Sequence, residues 1–329
     1  MIVVLALTAA TPEPARRKSS TIAREPYVGM IVIDANSGQI LAADNPDAKA
    51  YPASVLKLMN LLIILEKIEA GALRLADKVQ VTAEASRIGG SQVYLKEHEI
   101  FTIDDLLYAL IVQSANDAAT ALAIHIAGSK EGFVELMNQR ARELGMKATE
   151  FHSIHGLPPA SGQKPDVTTP RDLARLAREV LKHPEALRYS ATRERPFRND
   201  AFIMRSHNHL LGRVEGCDGL KTGYFSLAGY SSIVTARRGA NRIIAVIMGS
   251  TSRNLRDAKA AELLAKGFLL MPKKIEVAQH VTNPPPLSAA EEPASCPLRC
   301  PLGKIGMAIV VLALAALGLI YFLRRRSTI

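Results

Sequence analysis

At 329 residues, 48% of them hydrophobic, the chain can bury a sizeable core, which excludes disorder of the whole and leaves room for one large domain with appendages. Its formal net charge of +10 does not call for a nucleic-acid partner, because several of the cations fall in residues 15–18 and 324–326, outside any expected core. Only three cysteines occur, Cys217, Cys296 and Cys300, with no companion cluster of His or Cys at zinc spacing, so neither a disulfide scaffold nor a structural metal is expected.

Residues 1–25 read as a signal-peptide-like segment and leader: residues 2–10 form a short apolar run with the small residues Thr8 and Ala10 at its end. No positive charge leads that run, and Arg16, Arg17 and Lys18 follow it, so export rests mainly on the C-terminal segment described below. Residues 27–34 (YVGMIVID) and 39–44 flank Asn36, Ser37 and Gly38, the pattern of a β-hairpin whose turn tolerates positive φ, and the folded domain is expected over residues 26–271. Over residues 53–70 apolar side chains occupy nearly every face of a helix, which therefore has to be buried. Thr102, Ile103, Asp104 and Asp105 have the form of a capping box opening a helix to about residue 113, and a second helix is predicted over 117–127, with Ser114 to Asn116 between them. Helical patterns recur over 130–144 and 169–182, whereas the polar stretch 193–209 gives no assignable pattern. Residues 219–224, 229–237 and 242–249 read as strands of an antiparallel meander, followed by a closing helix over 255–270. Residues 272–304, with Pro284, Pro285 and Pro286, read as an extended spacer.

Residues 305–323 (IGMAIVVLALAALGLIYFL) carry no charge and no polar face over nearly the roughly 20 residues a helix needs to cross a bilayer, and read as a transmembrane helix. Arg324, Arg325 and Arg326 follow at once. By the positive-inside tendency residues 324–329 form a cytoplasmic tail, which places everything before Lys304 outside the cell membrane.

Three short motifs occur in order: Ser54-Val55-Leu56-Lys57, Ser114-Ala115-Asn116 and Lys221-Thr222-Gly223. Each alone is weak, and context strengthens each. Ser54 falls at the start of the buried helix, where unsatisfied N–H groups and the positive end of the helix dipole favour developing negative charge. Lys57, three residues on, can reach back to that hydroxyl along the same face. Surrounded by Leu56, Leu58 and Met59, its ammonium is poorly solvated, which lowers its pKa towards a value where the amine can accept a proton; the alternative is a lysine that snorkels to solvent. Ser114 and Asn116 sit on a loop between helices, where Ser114 can relay a proton and Asn116 can bind a substrate carbonyl or hold Lys57, or Asn116 can simply cap the next helix. Lys221 and Thr222 lie on a predicted strand and can engage a terminal carboxylate, and Gly223 is expected to let a substrate backbone approach the sheet edge.

With these motifs, the pieces Ser114-Ala115-Asn116-Asp117-Ala118, Ile154-His155-Gly156-Leu157 and Asp218-Gly219-Leu220-Lys221-Thr222-Gly223 make the chain resemble, over roughly residues 26–270, the low-molecular-mass penicillin-binding proteins, serine-type D-alanyl-D-alanine carboxypeptidases of peptidase family S11. The resemblance implies Ser54 as acylated nucleophile, Lys57 as proton acceptor, Ser114 as proton shuttle, Asn116 as ligand of substrate and lysine, and Lys221 with Thr222 as carboxylate binders. It also implies an oxyanion between the backbone N–H groups of Ser54 and Tyr224, with Arg256 as a second cation for the carboxylate.

The fold implied is α/β, an antiparallel sheet flanked by helices with an all-helical lobe over about 82–149, the active site lying between lobe and sheet. The partners implied are a peptidoglycan stem peptide ending in D-Ala-D-Ala and β-lactams as covalent inhibitors, with no metal or organic cofactor. Many relatives carry a β-rich domain before a membrane helix, and here only residues 272–304 separate the closing helix from the apolar run, so that domain is expected to be missing. A class A β-lactamase competes with this reading, but no Glu-x-x-Leu-Asn segment lies between Ser114 and Lys221. A penicillin sensor competes too, and only six residues follow Leu323, so no cytoplasmic output domain is expected. Endopeptidase action on crosslinks is a third alternative.

Overall fold

The computed structural model describes residues 22–272. Ile22 N–H already donates to Leu227 O at 3.1 Å and Arg24 N–H to Gly249 O at 3.0 Å, so the chain is held to the sheet before residue 26. The first hairpin is formed by β1 (Gly29–Asp34) and β2 (Ile40–Asp44), closed where Gly38 takes φ 79°. Asp34 fixes that turn, its carboxylate accepting from Asn36 N–H at 2.9 Å and from Ser37 Oγ–H at 2.6 Å.

A single 3-10 turn (Ala53–Leu56) leads into α1 (Lys57–Glu69), whose residues 57–65 are all buried, as a helix without a polar face requires. Next come β3 (Lys78–Gln80), α2 (Ala83–Ser86), β4 (Ile100–Thr102) and α3 (Ile103–Tyr108), the last capped by Thr102 Oγ1, which accepts from Asp105 N–H at 3.0 Å. A π turn (Ala109–Gln113) replaces the last turn of the expected helix before α4 (Asn116–Ala127) and α5 (Lys130–Glu143). Thr169 caps α6 (Pro170–Val180), which places Pro in the first turn, where its missing N–H costs nothing. Then follow α7 (Glu185–Ser190), β5 (Glu194–Phe197), β6 (Phe202–Arg205), β7 (Cys217–Phe225), β8 (Gly229–Arg238), β9 (Asn241–Ser250) and α8 (Arg253–Leu270).

The main sheet has the order β2-β1-β9-β8-β7 with every neighbour antiparallel. Its central strand β9 is apolar on both faces: Ile244, Val246 and Met248 point into the core shared with α1 and α6, and Ile243, Ala245 and Ile247 into the core under α8. Strand β7 is an edge of this sheet, and its residues 219–223 are buried against the turn that carries Ser54 and against α7.

The lobe over 82–149 is not all-helical, because β4 lies inside it and pairs with β3, Lys78 opposite Thr102 and Gln80 opposite Ile100. Three-residue strands are too short to show alternation. Their anchor comes from far along the chain, the Phe101 ring stacking on Phe197 with centroids 4.9 Å apart. That contact belongs to the β5–β6 hairpin, which fills most of the stretch without a sequence pattern; its turn residues Arg198, Asn199 and Asp200 all have positive φ. Arg198 holds the hairpin to the lobe by donating to Glu99 Oε2 at 2.6 Å and Val93 O at 2.7 Å. The expected transmembrane helix over 305–323 and its flanking segments lie outside the described residues; among the described residues no helix is long and apolar enough to cross a membrane.

Candidate active site

Ser54 stands on the 3-10 turn ahead of α1, one residue after Ala53, which is forced to φ 47°. Two glycines press on this turn. A Cβ on Gly156 would lie 2.2 Å from Ala53 O, and one on Gly223 would lie 2.8 Å from Pro52 O and 2.9 Å from Ser54 N. Gly223 is therefore needed for the close approach of β7 to the backbone of Ser54, a role beyond the one expected of it at the sheet edge.

Lys57 opens α1 fully buried, its Nζ 3.0 Å from Ser54 Oγ. It donates to Ser114 O at 2.8 Å and to Asn116 Oδ1 at 2.6 Å, and lies 3.3 Å from Ser114 Oγ. Burial, reinforced by the Lys221 charge and only partly opposed by Asp117, holds its pKa well below the ordinary lysine value. The snorkelling alternative is excluded by that burial. Asn116 is the first residue of α4 and does not cap it; its Nδ2 donates to Gly89 O at 2.8 Å while its Oδ1 holds Lys57.

Ser114 follows the π turn in the left-handed region at φ 61°, a conformation that costs a non-glycine residue roughly 1 kcal/mol or more and that aims both its carbonyl and its hydroxyl at lysines. Lys221 on β7 donates to Ser114 Oγ at 2.9 Å and to Thr222 O at 2.9 Å. Its pKa is lowered to about 7, by burial first and by Arg256 second. One hydroxyl thus bridges two buried lysines contributed by α1 and by the sheet.

These groups open onto a cleft of about 280 Å³ lined by Ser54, Ser114, Asn116, Thr222, Gly223, Tyr224 and Arg256 among others. Tyr224 is half-exposed at the rim, stacked on Tyr230 with centroids 4.1 Å apart. Arg256 is buried on the first turn of α8, and Asp257 Oδ1 accepts two of its N–H groups at 2.8 and 2.6 Å. Of the residues singled out from the three motifs, Ser54, Ser114, Asn116, Thr222 and Gly223 line this one cleft together with Tyr224 and Arg256, while Lys57 and Lys221 are buried behind it and reach it through the Ser54 and Ser114 hydroxyls.

Sequence reasoning missed His207 and His209, which line the cleft from the segment it could not assign. Burial first, then Lys221 and further cations, lowers His207 to about 4. The available signal was Asn208 between them, which anchors the segment to β7 through Nδ2 to Gly219 O at 3.1 Å. Asp117 was quoted only within a motif; its buried carboxylate accepts from Val93 N–H at 3.2 Å and Leu95 N–H at 2.9 Å, tying the strip beside Gly90 and Ser91 to the start of α4.

A family model described as D-alanyl-D-alanine carboxypeptidase, peptidase S11, matches residues 18–252. The chain is 32% identical over 255 residues to D-alanyl-D-alanine carboxypeptidase DacF of Bacillus subtilis (strain 168), covering 77% of this chain and 64% of that protein. To DacD of Escherichia coli (strain K12) it is 37% identical over 244 residues, covering 72% and 62%. The chain thus spans less than two thirds of the length of these curated relatives. Among solved structures, penicillin-binding protein D2 of Listeria monocytogenes in its ampicillin-bound form is 31% identical with a TM-score of 0.67, covering 74% of this chain and 97% of that one. Penicillin-binding protein 6B of Escherichia coli is 32% identical with a TM-score of 0.69, covering 79% and 82%. An antiparallel sheet flanked by helices is therefore shared with penicillin-binding proteins, and since the matched span runs through the Ser54 turn, the Ser114 loop and β7, the chain belongs to the D-alanyl-D-alanine carboxypeptidase family S11.

Proposed function

We propose that this protein is a serine DD-carboxypeptidase that removes the terminal D-alanine from peptidoglycan stem peptides through an acyl-enzyme on Ser54, and that it does so at the outer face of a cell membrane. The observation that carries the chemistry is the setting of Lys57. A neutral amine has two N–H groups and one lone pair, and Ser114 O and Asn116 Oδ1, which can only accept, take both N–H groups. The lone pair is left for the Ser54 hydroxyl, 3.0 Å away.

Attack of Ser54 Oγ on the penultimate D-Ala carbonyl then passes its proton to Lys57 Nζ. The tetrahedral oxygen is expected to meet the backbone N–H groups of Ser54 and Tyr224, both on the cleft. As the C–N bond breaks, the departing amine takes a proton through Ser114 Oγ, which stands between Lys57 Nζ at 3.3 Å and Lys221 Nζ at 2.9 Å. Water then attacks the ester with Lys57 again as base, breaking the acyl–Oγ bond and restoring Ser54. Lys221, Thr222 and Arg256 form a clamp for the terminal carboxylate. A β-lactam, which presents a strained amide and a carboxylate, would follow the first half of this path. The names of the curated relatives and the ampicillin-bound neighbour support the reading.

The membrane setting is supported by the uncharged run over 305–323 with three arginines directly after it. Incubation with a labelled penicillin and with a stem pentapeptide tests the chemistry: wild type should be labelled covalently and release D-alanine, and Ser54→Ala should do neither while keeping its fold. Labelling without release would favour a sensor; labelling of the folded mutant would move the nucleophile elsewhere.

A further inference from the structure

We propose that Asp257 and His209 form a positioning chain behind Arg256 that sets the preference for peptides ending in a free carboxylate. The inference rests on the carboxylate-clamp reading above and deepens it. Arg256 and Asp257 are neighbours on α8, and adjacent side chains on a helix do not face each other. Here they nevertheless close on each other, Asp257 Oδ1 accepting Nε–H at 2.8 Å and Nη2–H at 2.6 Å from Arg256, whose residue is 3% exposed. The second oxygen, Oδ2, lies 3.2 Å from Nδ1 of His209, which lines the cleft from the segment after β6. Two of the five guanidinium N–H groups are thereby fixed on Asp257, which restricts the plane in which the other three can meet a ligand.

The charges around this chain give it a task. Arg253 and Arg256 line the cleft, no Asp or Glu lines it among the described residues, and Lys57 and Lys221 are buried behind it, hydrogen-bonded to its lining residues Ser54 and Ser114. Asp257 is the acid that holds Arg256 in place among these cations. Two effects of opposite sign follow. The Asp257 charge weakens the pull of Arg256 on a carboxylate, while its hydrogen bonds hold the guanidinium in range. Geometry should dominate, because hydrogen bonds fail within a few tenths of an ångström and the buried guanidinium without its partly buried acid is free to turn from its like-charged neighbours.

The test measures kcat and KM for an acyl-D-Ala-D-Ala peptide and its C-terminal carboxamide on the full chain. Asp257→Asn should lower kcat/KM for the acid about 10-fold, chiefly through KM, and leave the amide within about 2-fold. His209→Ala should lower the acid value about 3-fold in the wild type and have no further effect in Asp257→Asn, since it acts through that carboxylate. Asp257→Glu, which keeps the acid, should retain more of the acid preference than Asp257→Asn. An acid preference that is kept or raised in Asp257→Asn overturns the proposal, as does an additive His209 effect. If Asp257→Asn loses both activities through misfolding, the acid-to-amide ratio of His209→Ala decides, and an unchanged ratio overturns it. A wild type that does not distinguish acid from amide sinks the clamp reading itself, whereas a clear wild-type preference untouched by Asp257→Asn sinks only this inference.

Discussion

Lys57 and Lys221 share one hydroxyl, and the proposed mechanism requires opposite protonation states of them, Lys57 neutral to accept a proton and Lys221 cationic to hold a carboxylate. Burial disfavours the charged form of both, and a neighbouring cation adds to it, Lys221 acting on Lys57 and Arg256 on Lys221. The working range is bounded on both sides. Raising pH through the depressed pKa of Lys57 creates the base, so kcat/KM rises on the acid limb; raising it through about 7 discharges Lys221, so kcat/KM falls on the alkaline limb. His155 and His207, lowered to about 4 chiefly by burial, are neutral across that region and cannot supply the limb near 7. Lys221→Arg should abolish the alkaline limb, because a guanidinium does not lose its proton there. Lys57→Arg, by the same property, keeps a cation but loses the base and should cost acylation roughly 100-fold or more. An alkaline limb that survives Lys221→Arg would assign it to another group. At this scale most of the site was legible, because Ser54, Lys57, Ser114, Asn116 and Lys221 are fixed by short spacings. His209 and Asp257 were not, since their contact joins segments that no local pattern connects.

Elements that announce themselves by pattern were readable within a few residues: α1 by its all-round apolarity, α4, α5 and α6 by helical spacing, and β8 and β9 as successive strands joined by a short turn, β9 carrying an unbroken apolar run. The β3–β4 pair and the β5–β6 hairpin were not, because strands of three or four residues are held by the Phe101–Phe197 stack and by Arg198 rather than by their own propensities. The π turn before Ser114 was also hidden, although it is what swings that residue into the left-handed region. Close packing of elements carries a prediction of its own. At Gly223, the atoms a methyl would strike are Pro52 O and Ser54 N, backbone that cannot move without moving the nucleophile. Gly223→Ala should therefore slow acylation by labelled penicillin roughly 100-fold, the cost of about an ångström of misplacement. Gly239 on the β8–β9 turn has φ 58° and nothing within 4 Å of an added methyl, so Gly239→Ala should cost only about 1 kcal/mol of backbone strain, seen as a lower Tm, with the acylation rate unchanged. Equal acylation rates for both variants would show that β7 does not need its close approach to the Ser54 turn.

Across the whole molecule, the site exists only where the helical lobe meets the sheet: Lys57 and Asn116 come from α1 and α4, Lys221 from β7, and Arg256 from α8, all within residues 22–272. The two cores on either face of the sheet are closed by α1 and α6 on one side and by α8 on the other, so the contacts that set these catalytic side chains are made before the chain passes Pro272. Chemistry and attachment should then be separable. If residues 305–323 span a bilayer, the roughly 0.3 to 0.6 kcal/mol that each central Leu, Ile, Val or Phe contributes to insertion adds up to firm anchoring, with Arg324 to Arg326 opposing passage of the tail. The full chain should therefore stay in the membrane pellet through alkaline carbonate extraction, and a chain ending at Lys304 should be released into the soluble fraction. Both should acylate with labelled penicillin at the same rate, because Ser54, Lys57, Ser114 and Lys221 are untouched. On intact cells, external protease should digest the catalytic domain of the full chain. Release of the full chain by carbonate would overturn the anchor, and protection of its catalytic domain from external protease would overturn the outward orientation. A truncated chain that stays soluble but acylates slowly would show instead that residues 305–329 reach into the catalytic domain's function.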